Sequence, residues 1–213
     1  MLLNKIPVIY INLQKRIDRK ISILKELSKI GVENPEQFKA IELANGAIGC
    51  SMSHLKCVEL AKKNNYDYLF ICEDDLEFLN PELFLKQLNL FMNSPLNWDV
   101  VIVAGNNMTP YTPISEYCIK VCNCQTTTGY IVKNHYYDTL INNYKEGITK
   151  LLKDQTNNDY KIDKYWFNLQ RIHNWYLIIP LSIIQKEGYS DIERKNTNYI
   201  NYMLNYNKCV LKK

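Results

Sequence analysis

No apolar run in this chain approaches the roughly 18–20 residues that a bilayer-crossing helix needs, so no membrane span is expected. The opening Met1-Leu2-Leu3-Asn4-Lys5 lacks the apolar core of a signal peptide, which points to a cytoplasmic protein, in its own cell or in a host. Basic clusters are missing as well. The net charge is only +4 and the lysines are scattered, apart from the terminal Lys212-Lys213, so nothing calls for a nucleic-acid partner. There is no internal repeat and no linker-like stretch. Paired C-x-x-C halves are absent among the seven cysteines, an odd and dispersed set that reads as small buried hydrophobes in a reducing compartment. Cys118, Cys122 and Cys124 do cluster, but without a nearby histidine they read as strand thiols and not as a zinc site. His135 and His173 have no carboxylate or cysteine at metal-ligand spacing.

What is present describes a folded enzyme-sized unit. A hydrophobic fraction of 46% with 12% aromatic residues excludes a disordered chain. A length of 213 residues suits one domain, 1–213, with a substantial core. The sixteen tyrosines, with abundant Asn, Lys and Ile, point to an AT-rich genome more than to a function.

The most informative segment is Tyr68-Leu69-Phe70-Ile71-Cys72 followed by Glu73-Asp74-Asp75. The first five residues are a short aromatic and β-branched run, the pattern of a buried strand. Three carboxylates at its end repel one another unless a cation or a proton separates them. Ligands of open α/β sheets bind outside the carboxyl ends of strands. Hard oxygen ligands there suit Mg²⁺ or Mn²⁺, and through them a nucleotide's phosphates. The alternative is a solvated acidic turn ahead of the helix that Asn80-Pro81-Glu82 opens.

Strand and helix patterns alternate along the chain. Pro7–Ile11 reads as a first strand continued by Asn12-Leu13. Asp18–Ile30 repeats apolar residues at Ile21, Leu24, Leu27 and Ile30, a helical spacing that Gly31 stops. Phe38–Ile41 is a short strand, and Ser51 or Ser53 caps a helix to about Lys63. After the acid-tipped strand come a helix over Pro81–Met92 and a central strand over Trp98–Gly105. Tyr117–Val121 and Thr126–Val132 read as strands, Asn134–Tyr144 as a helix, and 155–159 as a loop. Ile162–Leu169 reads as a short helix and Trp175–Ile179 as a late strand. The alternation predicts an α/β fold: a mostly parallel sheet with helices on both faces.

Several of these segments fall in the order of a known family. Tyr10-Ile11-Asn12-Leu13-Gln14-Lys15-Arg16-Ile17-Asp18-Arg19 resembles the "INL-x-x-R-x-x-R" opening of family 25 glycosyltransferases, which include lipooligosaccharide galactosyltransferases and collagen-modifying enzymes. Gly49-Cys50-Ser51-Met52-Ser53-His54 resembles the family's "GC-x-x-SH", and Glu73-Asp74-Asp75 its "EDD". Thr128–Val132, Asp163-Lys164-Tyr165-Trp166, and Leu177–Gln185 followed by Ser190-Asp191-Ile192 are similar to later family segments. The resemblance spans Tyr10 to Ile192. One departure is Ala47, where many members carry an acid two residues before the Gly-Cys pair.

The resemblance implies a GT-A-like fold and transfer of a hexose from a UDP-sugar to a glycan or hydroxyl acceptor, with Mn²⁺ or Mg²⁺ and inversion at the anomeric carbon. Asp75 is the implied metal ligand and Glu73 a second one. Asp74 reaches the ion or the donor ribose. Arg16 and Arg19, just after the first strand, are placed to meet a diphosphate, Asn12 to meet uracil or ribose, and His54 either to pack or to line the donor site. Asp163 is the expected general base, beside Tyr165 and Trp166 as stacking faces for a sugar, with Asp191 as second candidate. Two other classes stay open: a nucleotide-sugar binder that has lost transfer, and a metal-dependent phosphate-ester hydrolase.

Overall fold

β1, Val8–Asn12, is buried along its whole length, the fate of a short β-branched run that cannot expose either face. The computed structural model describes residues 6–209; the Met1–Lys5 start and the Lys212-Lys213 end lie outside them. α1 covers Ile17–Ser28, β2 Glu36–Lys39, α2 Gly46–Lys63, β3 Tyr68–Glu73 and β4 Leu76–Phe78. α3 covers Pro81–Met92, β5 Val100–Asn107, β6 Tyr111–Ser115, β7 Cys118–Val121 and β8 Cys124–Lys133. α4 covers Tyr137–Lys153, α5 Ile162–Tyr165, α6 Phe167–Ile172, β9 Trp175–Ile178 and β10 Ile183–Gln185. A hairpin of β11, Gly188–Ser190, and β12, Lys195–Thr197, precedes α7, Ile200–Leu204.

The main sheet has the order β2-β1-β3-β8-β5-β9-β7-β6. β1 pairs parallel with β2 and β3, and β5 parallel with β9, while β8 is inserted antiparallel between β3 and β5. Strands β2, β1, β3, β5, β9 and β6 therefore run one way, with β8 and β7 against them. The sheet is mostly parallel, as the alternating pattern predicts. Leu69, Phe70, Ile71 and Cys72 of β3 are all fully buried, so both faces of the sheet's centre are covered.

Element positions match the sequence reading better than element edges. α3 keeps its expected bounds because Asn80 caps it, its side-chain oxygen accepting the Leu83 N–H at 3.0 Å, with Pro81 at the first helical position. α2 starts earlier than Ser51 or Ser53. Its cap is Asn45, whose side chain accepts from the Ala47 N–H at 3.0 Å. The two serines sit inside the helix and donate back to the Ala47 and Gly49 carbonyls at 2.8 and 2.7 Å. In α1 the inner face is Ile23, Glu26 and Leu27, and Ile21 is 64% exposed. The stripe is displaced because Glu26 is an inner residue: its carboxylate accepts the Phe78 N–H at 3.0 Å and pairs with Lys29 at 2.7 Å.

Candidate active site

β1 and β3 are parallel neighbours with Ile11 opposite Glu73, so Asn12 and the three acids emerge together at the carboxyl ends of the strands. Asp74 and Asp75 are buried there. Both oxygens of Asp74 are taken: Oδ2 accepts from the Asn12 amide and Oδ1 from Arg19, each at 2.7 Å. β4 then pairs with β10, bringing Gln185 opposite Leu76. Gln185 donates to Asp75 Oδ2 at 3.0 Å, the Lys186 N–H donates to the Asp75 carbonyl at 2.7 Å, and Arg19 lies 3.4 Å from Oδ2. Asp75 Oδ1 is buried with no hydrogen-bond partner among the described residues. Burial and the neighbouring Glu73 charge raise the Asp75 carboxyl to about 7, and burial raises Asp74 against the pull of Arg19.

Glu73 is held from the other side. Its Oε1 accepts from the Thr127 hydroxyl and faces His54 Nε2 at 3.2 Å. Burial opposes its ionisation, yet these contacts with His54 and Thr127 bring its carboxyl below the usual range. His54 is fully buried, and its Nδ1 lies 3.0 Å from the Tyr130 hydroxyl, which accepts from Tyr144 at 3.0 Å. Gly49 is required one turn earlier, since a Cβ there would lie 2.3 Å from the Ile41 carbonyl oxygen. Ser53 ties the same crossing, accepting the Ile41 N–H at 2.8 Å. The Gly-Cys-x-x-Ser-His segment thus packs α2 against the chain beyond β2 and aims His54 at Glu73.

Two cavities meet at this acid cluster. The larger, about 540 Å³, includes Arg19, Lys15 and Arg194 as cations and His54, Glu73, Asp74, Asp75 and Asp191 in its walls. The smaller, about 290 Å³, includes Thr126, Thr127, Asp163 and Tyr199. Cys50, Glu73, Gln185, Ser190 and Ile192 line both.

The expected site residues divide on this geometry. Glu73, Asp74, Asp75, Arg19, His54 and Asp191 converge on the larger cavity. Asn12 and Arg16 stand behind it. Asn12 is buried; its amide donates to Asp74 and to the Arg16 carbonyl, and its oxygen accepts from Gln37 at 3.1 Å. Arg16 grips Asp18 at 2.9 Å and Asp191 at 2.6 Å. Asp163 lines the smaller cavity, where its Oδ2 accepts the Thr126 N–H at 3.3 Å and burial raises its carboxyl.

The expected stacking faces are elsewhere. Trp166 is fully buried, donates to the Cys124 carbonyl at 2.9 Å and packs edge-on against Tyr130 and Trp175. Tyr165 is buried and its hydroxyl accepts from Lys150 at 2.7 Å. The aromatic ring on the smaller cavity is Tyr199. His135, unpartnered by sequence spacing, faces Asp99 at 2.8 Å across a strand end. Sequence reasoning did not single out Lys15, which follows β1 as Arg16 does, or Arg194 and Tyr199, which only the folding back of the chain's last part brings to the cavities, or Cys50, whose i,i+4 relation to His54 is visible only once the helix start is placed at Gly46.

The sequence model of glycosyltransferase family 25, described as an LPS biosynthesis protein family, matches residues 33–148. The chain belongs to glycosyltransferase family 25. The match takes in Gly49–His54 and the three acids, while Asn12, Arg16, Arg19, Asp163 and Asp191 lie outside it. Among curated proteins none matches this family 25 chain. Among solved structures, a glycosyltransferase involved in glycosylation of the major capsid of PBCV-1 is similar in fold at TM-score 0.54 and 12% identity, over 89% of this chain and 96% of its own. A Drosophila β-1,4-galactosyltransferase 7 in complex with manganese, UDP-Gal and xylobiose covers 96% of this family 25 chain and 76% of its own at 10% identity, with TM-score 0.38. The fold is GT-A-like. No helix among the described residues is long and apolar enough to cross a membrane.

Proposed function

We propose that this family 25 chain transfers a hexose from a UDP-sugar to a hydroxyl of a glycan acceptor with inversion, the donor seated in the larger cavity and the acceptor in the smaller. The observation that carries the reading is the buried, unpartnered Oδ1 of Asp75 in a cluster whose other contacts are made. A buried polar atom of this kind costs stability unless a ligand meets it. A hard divalent cation fits that oxygen, and Asp75 is the residue to hold Mn²⁺ or Mg²⁺. When bound, such an ion neutralises the charge that develops on a departing diphosphate.

The chain's own groups supply the rest. Arg19, Lys15 and Arg194 line the larger cavity, where a diphosphate would share them with Asp74, Glu42 and the Ala44 carbonyl. Asn12 and Arg19 hold Asp74 in place, and Gln185 does so for Asp75. Asp163 is the base: it takes the acceptor hydroxyl's proton as that oxygen bonds to the anomeric carbon. The bond from that carbon to the phosphate oxygen breaks, and UDP leaves with the electron pair. Burial, by raising Asp163, makes it a better proton acceptor than an exposed aspartate. Asp191, paired with Arg16 and lining the larger cavity, is assigned here to anchoring the β11–β12 hairpin.

Calorimetric titration with UDP and a panel of UDP-sugars, with and without Mn²⁺, tests the donor half. Metal-dependent binding of a UDP-sugar that Asp75→Asn abolishes is expected, and no nucleotide binding under either condition overturns the reading. A second reading, nucleotide-sugar binding without transfer, is favoured by one feature: Ala47, the departure from the family's acid, lines the smaller cavity. Donor binding with no acceptor-dependent product across a sugar-acceptor panel would support it. Phosphate release from a phosphate ester with no sugar acceptor would point to the hydrolase class.

A further inference from the structure

We propose a second metal site in this chain: Cys50 Sγ, His54 Nε2 and Glu73 Oε1 form a three-ligand site for a thiophilic divalent cation of the Zn²⁺ class. The three ligand atoms lie within 4.8 Å of one another, the only such grouping of three among the described residues. His54 Nε2 is 3.2 Å and Cys50 Sγ 3.9 Å from Glu73 Oε1. A tetrahedral Zn²⁺ with bonds of about 2.0 Å to N and O and about 2.3 Å to S spaces its ligands by about 3.3 and 3.5 Å, so only small side-chain adjustments are needed.

The backbone builds this arrangement. Cys50 and His54 are one turn apart on α2, and Glu73 is the last residue of β3. The Tyr130 hydroxyl at His54 Nδ1, itself bonded by Tyr144, is the outer partner that orients a ligating imidazole. Thr127 does the same for Glu73. Cys50 and Glu73 line both cavities, so an ion can enter and a water can complete the fourth position.

The donor set separates this site from the one at Asp75. Thiolate and imidazole select Zn²⁺-class ions, whereas an isolated carboxylate oxygen suits Mg²⁺ or Mn²⁺. Binding exchanges the Cys50 thiol proton, released to solvent, for a metal–sulfur bond, so affinity rises with pH.

The test uses the full chain with Co²⁺ alone as spectroscopic probe, and is independent of any transferase assay. A near-ultraviolet thiolate-to-Co²⁺ charge-transfer band saturating at one equivalent is expected, with Zn²⁺ displacing it. Cys50→Ser and Cys50→Ala should each lose the band. Tyr130→Phe should weaken Co²⁺ binding about 10-fold, while Asp75→Asn and Cys122→Ser keep the band. Absence of a band in the native protein, or a band that persists in whichever Cys50 variant retains the native circular dichroism spectrum, overturns the proposal.

Discussion

Gln185 donates to one oxygen of Asp75 at 3.0 Å, and the other, which is buried, has no donor among the described residues. The pair crosses from β10 to the turn after β3, so the β4–β10 ribbon sets the orientation of the candidate metal ligand. Gln185→Leu should keep the fold but lower Mn²⁺ affinity about 10- to 100-fold, the usual effect of losing an orienting contact. Measurement of free Mn²⁺ by electron paramagnetic resonance reads the change, and unaltered affinity would remove Gln185 from the site.

The same burial gives the metal-free protein a signed pH dependence. Asp75 ionises near 3.8 when unfolded and near 7 in the folded chain. Between those values the folded state binds more protons than the unfolded one, so this group's contribution to stability is intact below 3.8 and shrinks as pH rises toward 7. The melting temperature of Asp75→Asn relative to the parent should therefore climb from pH 4 to pH 7 and then level off. A difference that is flat across that range would mean that Asp75 is not a buried, cation-poor carboxyl.

For Asp163 the direction appears in kinetics. A base must be deprotonated, and burial lifts this carboxyl above the ordinary aspartate range. The acid limb of kcat/KM should fall above the roughly 3.9 of a free aspartate. Asp163→Asn should spare UDP-sugar binding and reduce transfer by about 10²-fold or more. Equal transfer by the two proteins would assign the proton to another acceptor.

Trp166 is a core residue, enclosed by Tyr130 and Trp175. Trp166→Ala should cost about 3–5 kcal/mol in urea unfolding. If it instead left stability unchanged and raised only the acceptor KM, the ring would belong to the sugar site.

The order of elements and the acid cluster were legible because both depend on local pattern: a short β-branched run buries itself, and three adjacent carboxylates demand neutralisation. Glu73, Asp74 and Asp75 were identifiable for that reason. What pattern could not convey was partnership across long chain separations. Arg16 reads as a diphosphate ligand from its place after β1, yet Asp191 claims it 175 residues later. Trp166 reads as a sugar platform from its place beside Asp163, yet the Cys124 carbonyl takes its N–H. The helix edge at Gly46 was hidden because Ser51 and Ser53 look like caps, whereas their hydroxyls return to carbonyls of the preceding turn. Misplacing that edge also concealed Cys50 beside His54.

Cys50, Glu73, Gln185, Ser190 and Ile192 each face both chambers. With donor and acceptor seated as proposed, a mutation at any of these five should alter two specificities at once, so drift toward a new donor would drag acceptor preference with it. Independent retuning is left to positions that see one chamber only, such as Lys15 and Arg194 on one side and Tyr199 and Thr126 on the other. On that assignment the partition is a map for directed evolution: libraries confined to either set should change one preference, with the five shared positions held fixed.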